Sequence, residues 1–159
     1  MLPAGTANYV LKVLHRGGTQ QDFALIMSAV ASPTPQADLA VFDGSILPSS
    51  ENPLKDDLIS IRLAWVNQGT STTPSFDVLL EDLTTQTVLA TATRPALAPG
   101  AIDSTTIFHQ FATTGVHQLR LSVDTGNAVP EMNDGTIGTN NNVWTQDVEV
   151  MALGVRVVV

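Results

Sequence analysis

The residues best suited to chemistry lie in one segment, DTGNAVPEMNDGTIGTNNN, which runs from Asp124 to Asn142. It separates two strand-like runs, LRLSV and VWTQDVEV, and it is rich in carboxylate and amide side chains. Oxygen atoms of both kinds are the ligands that Ca²⁺ prefers in proteins. The sequence therefore predicts a calcium site, and the candidate ligands are Asp124, Glu131, Asn133 and Asp134.

A structural loop explains the same segment without any ligand. Asp, Asn and Gly tolerate tight turns, and Asp and Asn side chains hydrogen-bond backbone groups that a connection leaves unpaired. The segment also lacks the ligand spacing of an EF-hand. The structural loop is thus the favoured interpretation, and calcium is the leading hypothesis for a site.

A third interpretation is catalytic, because Asp124, Thr125 and Gly126 spell the Asp-Thr-Gly signature of aspartic proteases. The signature follows an apolar strand, as it would in a retroviral-type homodimer. Such enzymes need a second segment, apolar-apolar-Gly, packed behind the loop. The only candidate is Ala152-Leu153-Gly154, which is poorly placed. The protease interpretation is therefore set aside.

Other reactive groups are scarce along the chain. The three histidines, His15, His109 and His117, lack the flanking motif of a nucleophile or a metal centre, and we expect the strand histidines to be exposed. No Gly-x-Ser-x-Gly elbow occurs. Cysteine is absent, which removes disulfides, thiolate zinc sites and thiol nucleophiles. We expect no enzyme activity and no cofactor other than calcium; any catalytic domain would lie elsewhere in a longer parent chain.

The balance of charge excludes several classes of partner. With 159 residues and 43% hydrophobic content the chain can bury a core, and its formal net charge is -8. Such a surface repels phosphate backbones and anionic membranes, which argues against nucleic-acid binding.

No apolar run approaches the roughly 18 residues of a membrane-spanning helix. The start, MLPAGTANYV, lacks the features of a signal peptide. If the chain is extracellular or at the cell surface, its export signal lies outside this sequence.

Period-2 alternation bounded by Gly, Pro, Asn and Ser recurs throughout the chain and predicts an all-β protein. Residues 1–31 are predicted to form a β-hairpin, and the SPTPQ segment, residues 32–36, is predicted to be a linker in which two prolines stop strand pairing. Beyond it, about seven strands predict an immunoglobulin-like antiparallel β-sandwich. The predicted strands are 37–42, 59–65, 76–80, 88–93, 104–111, 116–124 and 143–151.

Two tryptophans have different expected roles. Trp65 shares a strand face with Ile61 and Leu63, so it is expected to fill the core between the two sheets. Trp144 shares a face with Val148 and Val150, but it adjoins the polar segment and is expected to be partly exposed. The low aromatic content of 5% weakens a sugar-binding hypothesis without excluding it.

The order of short motifs in residues 37–151 resembles the CARDB domain, an immunoglobulin-like bacterial and archaeal module associated with cell-surface proteins. The motifs are ADLAV, AWVNQGT, ALAPGA, TGVHQLRLSVD, NAVPEMND and NNNVW. The most specific match is Asp124, Asn127 and Glu131, followed by an asparagine pair within 140–142. This chain inserts Gly135 to Thr139 before that pair, which lengthens the loop. The resemblance implies a non-catalytic extracellular adhesion, spacer or presentation module, whose partner is an unknown extracellular protein or polysaccharide.

Residues 1–31 carry a second resemblance, to the closing hairpin of the β-sandwich domains that follow the catalytic domain in secreted subtilisin-like proteases. It implies an accessory region of such a protease, with neighbouring domains of the parent chain as partners. Residues 152–159 are then a C-terminal strand or the start of a following domain. The alternative is a stand-alone assembly subunit that associates by β-strand addition through the hairpin or through Val155 to Val159.

Overall fold

The computed structural model describes residues 35–131 and 141–153. These residues form eight antiparallel strands and no helix that is long and apolar enough to cross a membrane. Predictions that fall on residues 1–34, 132–140 and 154–159 therefore lie outside the described residues. The strands are β1 (Leu39–Ala40), β2 (Ile46–Pro48), β3 (Ile59–Asn67), β4 (Phe76–Asp82), β5 (Thr87–Arg94), β6 (Ile102–His109), β7 (Gly115–Val123) and β8 (Val143–Val150).

The strands build two sheets, as the sequence predicts. In the first, β3 is central; it pairs with β6 on one side and with β1 and β2 on the other. The second sheet has the order β5-β4-β7-β8. All of these pairs are antiparallel, so the predicted all-β sandwich is confirmed.

The core lies between the sheets because alternate residues of each strand face inward. On β3 the inward residues include Ile61, Leu63 and Trp65, all nearly inaccessible to solvent. Fully burying one such side chain stabilises the fold by about 1.5 to 3 kcal/mol. Trp65 meets Phe76 of the opposite sheet edge-on, with ring centroids 6.3 Å apart. The predicted core role of Trp65 is confirmed, whereas Trp144 is half-buried against the same core.

The first predicted strand is shorter than expected. Only Leu39 and Ala40 of the run 37–42 pair as a strand. A turn follows in which Gly44 has φ +88° and the Ser45 hydroxyl accepts a 2.8 Å hydrogen bond from the Phe42 amide. The chain then pairs with β3 again as β2, a three-residue strand ending in Pro48 that alternation alone does not reveal.

An ion pair links the edge strands of the two sheets. Arg94 of β5 donates to one carboxylate oxygen of Asp103 on β6, from Nε at 3.2 Å and from Nη2 at 2.8 Å. The same guanidinium lies 5.4 Å from the centroid of the Trp65 ring. Arg94 therefore covers the core where the two sheets would otherwise open.

Candidate functional site

The predicted reactive segment begins with a carboxylate that caps its own loop. Asp124 and Asn127 both have φ +52°, a left-handed conformation that Asp and Asn tolerate better than most residues. The two carboxylate oxygens of Asp124 accept hydrogen bonds from the amides of Ala128 and Val129, each at 2.9 Å. Asp124 is buried. Its side chain thus satisfies two amides that the turn leaves without a strand partner.

Glu131 ties this loop to the start of the domain. Its Oε1 accepts from the Leu39 amide at 2.7 Å, and its Oε2 accepts from Nδ2 of Asn142 at 2.6 Å. Asn141 donates from Nδ2 to Asp38 at 3.0 Å. These side chains hold the chain before β8 against β1. We call Asp124, Glu131, Asn141 and Asn142 the loop end of the sandwich.

The structure therefore assigns structural roles to the two described calcium candidates. Asp124 and Glu131 direct their carboxylates at backbone amides and at Asn142, while Asn133 and Asp134 lie outside the described residues. Within 35–131 and 141–153, no three His, Cys, Asp or Glu side chains are placed to hold a metal ion. The calcium site stays a prediction. The same burial of Asp124 argues against the aspartic-protease interpretation, which needs an accessible carboxylate.

A groove of about 550 Å³ lies beside the loop end, on the outer face of the β5-β4-β7-β8 sheet. Its lining includes Glu81, Arg120, Ser122 and Thr125. Arg120 donates to one oxygen of Glu81 from Nε at 3.1 Å and from Nη2 at 2.6 Å. This pairing neutralises the groove's cation, so the groove offers no strong attraction for an anion.

The opposite end of the sandwich holds a second buried carboxylate, which sequence reasoning missed. Asp82 of β4 lies 2.6 Å from Nδ1 of His117 on β7, and both residues are 2% exposed. The other oxygen of Asp82 accepts from the amides of Thr84 and Thr85 at 2.9 and 3.3 Å. We call Asp82, His117 and the neighbouring His109 the histidine end.

These histidines differ from the sequence expectation. His117 is buried rather than exposed, and its phase on β7 with Leu119 and Leu121 is the signal that could have shown this. His109 on β6 and His117 on β7 belong to different sheets. The Phe111 ring separates them, at 4.7 Å from each imidazole between centroids.

Asp82, His117 and Thr113 are connected in the order of a hydrolytic triad, but their geometry does not support catalysis. Nε2 of His117 lies 3.1 Å from both the hydroxyl and the backbone carbonyl of Thr113. A carbonyl can only accept, so Nε2 carries a proton and donates it. A nitrogen that already donates cannot take the hydroxyl proton as a general base. The three residues therefore act together as a structural bridge.

Burial and hydrogen bonding set the ionisation of this end. Burial alone would raise the pKa of Asp82, but the hydrogen bonds from His117 and Thr85 outweigh it and leave that pKa below its ordinary value. Burial lowers the pKa of His109; the Asp82 charge opposes this effect and His117 adds to it. Asp82 is thus ionised, and His109 is held in its neutral form, near neutral pH.

Comparison with known proteins decides the family. The model of the CARDB family matches residues 36–146. The chain belongs to the CARDB family. This confirms the resemblance of residues 37–151, whereas the resemblance of residues 1–31 to protease-associated domains stays a prediction. CARDB is a family of non-catalytic domains, and the residues of its most specific motif are those that build the loop end.

Solved structures agree on the fold. A crystal structure of the CARDB domain of a Pyrococcus furiosus protein, in complex with di-metal ions, is 23% identical with a TM-score of 0.63; the match covers 77% of this chain and all of that one. A domain of an inferred cell surface protein from Methanosarcina acetivorans is 24% identical with a TM-score of 0.52, covering 73% of this chain and 93% of that one. The search of curated proteins gave no match.

Proposed function

We propose that this chain is a non-catalytic spacer or presentation module of a larger secreted or cell-surface protein. The observation that carries the proposal is the path of the chain. In the described residues, Ala37 lies at the loop end, where it bridges Glu131, and β8 leads to Met151, which bridges Leu54 at the histidine end. The eight residues of β8 span about 27 Å at 3.3 to 3.4 Å each. A domain entered at one end and left at the other separates its neighbours by its own length.

The chemistry of both ends supports the same proposal. Asp124 and Glu131 organise the backbone at the loop end, and Asp82 and His117 do so at the histidine end. The buried carboxylates and the buried imidazole of the described residues thus hold loops in place. Membership of the CARDB family supports a non-catalytic module, and the Methanosarcina acetivorans relative supports a location at the cell surface.

The finer proposal is an adhesive accessory region of a subtilisin-like protease, and it rests on the resemblance of residues 1–31. The alternative is a stand-alone assembly subunit that associates by β-strand addition. In the described part of the chain β5 offers an edge for this purpose, because it pairs only with β4 and carries no charge from Thr87 to Thr93.

Location and spacing can be tested directly. Antibodies raised against this chain should label intact, unpermeabilised cells of its source, and protease treatment of those cells should remove the signal. A signal that appears only after permeabilisation would contradict the proposal. For spacing, the absence of native cysteine allows Gln36→Cys and Ala152→Cys to carry one dye pair. We expect energy transfer that reports a separation of about 3 nm, unchanged when a neighbouring domain is fused at either end.

A further inference from the structure

The two outer faces of the sandwich differ in charge. On the sheet formed by β1, β2, β3 and β6, the outward positions of β3 and β6 hold one charged residue, Arg62. The outward positions of the other sheet are acidic, and of their charged residues only Arg120 is basic. We call these the Arg62 face and the acidic face. The carboxylates of the acidic face are Asp77, Glu81, Asp147 and Glu149.

Large apolar side chains surround Arg62. Leu47 pairs directly with it from β2, Phe108 lies on β6 one diagonal step away, and Ile102 lies further along the same strand. These three residues are 53%, 71% and 64% exposed, respectively. Large apolar patches that face solvent commonly mark surfaces that bind another molecule.

Arg62 differs from the other arginines of the described residues. Arg94 is paired with Asp103 and Arg120 with Glu81, each at 2.8 Å or less. Arg62 forms no ion pair with any residue in 35–131 or 141–153. Its charge is therefore available to a carboxylate from another molecule, and an interaction made among leucine and phenylalanine would be screened less than one in open water.

We propose that the Arg62 face binds the acidic face of a second copy of this chain. The acidic face supplies carboxylates at exposed positions of β8, Asp147 and Glu149, and it also exposes the apolar side chains of Val116 and Val143. The two faces are complementary in charge, and both carry apolar area. Because each chain has one face of each kind on opposite sides, the contact is heterologous and generates open, side-by-side rows of domains. This association goes beyond the spacer function and does not depend on it.

The first test is the concentration dependence of mass, measured by sedimentation equilibrium on the full chain up to about 500 µM at physiological salt. We expect reversible self-association. Arg62→Glu should raise the dissociation constant at least about tenfold. Lys55→Glu, which makes the same charge change in the segment between β2 and β3, should leave it unchanged. Phe108→Ser should also weaken association while the melting temperature stays the same. A wild-type chain that stays monomeric, or an Arg62→Glu variant that associates normally, overturns the proposal.

A mixing experiment tests the heterologous geometry. Variant one is Arg62→Glu, which keeps the acidic face; variant two is Asp147→Asn with Glu149→Gln, which keeps the Arg62 face. Each variant alone should associate at least about tenfold more weakly than the wild type. Their equimolar mixture should form a dimer that grows no further, because one intact face of each kind remains. Failure of the mixture to dimerise, with both variants folded by circular dichroism, would show that the contact is not between these two faces.

Discussion

The two ends of the sandwich each bury a carboxylate, and they satisfy it with different donors. At the loop end, Asp124 accepts from two backbone amides. At the histidine end, Asp82 accepts from two amides and also faces His117. The Asp124 donors lie within five residues of it in the chain, whereas His117 lies 35 residues from Asp82. One end is therefore held by a local cap, and the other by a contact that forms only when two distant strands pair.

The largest expected effect is at the histidine end. Asp82→Ala removes the acceptor that faces His117 and leaves a buried ionisable ring without its partner. We expect the free energy of unfolding to fall by about 4 kcal/mol, since three donors lose their acceptor and each buried donor left without one costs about 1 to 3 kcal/mol. Urea denaturation followed by tryptophan fluorescence measures it. Asp77→Ala removes an exposed carboxylate from the same strand and should change stability by less than about 0.5 kcal/mol. Equal losses for both variants would contradict the structural role of Asp82.

A similar experiment at the loop end should give a slightly smaller effect. Asp124→Ala leaves the amides of Ala128 and Val129 without acceptors, and we expect a loss of about 3 kcal/mol. Asp124→Asn keeps one acceptor oxygen and tolerates the positive φ, so it should lose about half as much. Thr125→Ala, at the exposed neighbouring residue, is the matched control. If Asp124→Ala has the same midpoint of urea unfolding as the wild type, the capping role of Asp124 is wrong.

The pH dependence of stability should separate the two ends further. The pKa of His109 is lowered by burial, so the unfolded chain binds a proton more readily than the folded one. Stability should therefore decline as pH falls below about 6.5, the ordinary pKa of histidine. The lowered pKa of Asp82 adds a second loss, as pH falls below about 3.9 and through the folded value. His109→Gln should remove the first decline and leave the second. Melting temperatures measured from pH 8 to pH 3 would record both declines in stability. A wild-type melting temperature that stays constant down to pH 5 would contradict the decline assigned to His109.

The smallest expected effect is that of calcium, which the sequence predicts to bind in the segment from Asp124 to Asn142. At 10 mM Ca²⁺ and a dissociation constant near 1 mM, mass action gives about 1.4 kcal/mol of stabilisation. We expect the melting temperature to rise by about 5 °C. Asn133→Ala with Asp134→Ala should remove the rise, while Glu51→Ala, a carboxylate outside the segment, should keep it. No shift of the wild type at millimolar Ca²⁺ would end the proposal.

Alternation predicted the fold well where strands are long. In a strand with one buried face, every second side chain is apolar and points inward. Ile61 and Leu63 therefore showed which face of β3 is buried, and Leu119 and Leu121 showed the same for β7. The short β2 was missed, since three residues ending in proline carry too little pattern. The histidine end was missed for a different reason. Asp82 and His117 are 35 residues apart, and only the strand order of the second sheet brings them together.

The loop end was predicted in part. Its residues were correctly singled out as the most specific motif, because Asp and Asn at turn positions indicate hydrogen bonding to the backbone. The sequence did not show which amides they would bind. Glu131 reaches Leu39, a residue 92 positions earlier, and that contact depends on how β1 lies beside the end of β7. Local pattern carries no information about such a long-range partner.

The opposite placement of Ala37 and Met151 has a consequence under mechanical load. Tension applied at residues 37 and 151 runs nearly along the strands, so it shears the sheets instead of separating them one residue pair at a time. The eight register pairs that join β8 to β7 would share that load. The β1 to β3 contact has only two register pairs, and the Glu131 bond to Leu39 reinforces it. The Glu131 carboxylate therefore reinforces the contact that has the fewest register pairs. Under tension, β1 should separate from β3 before β8 separates from β7.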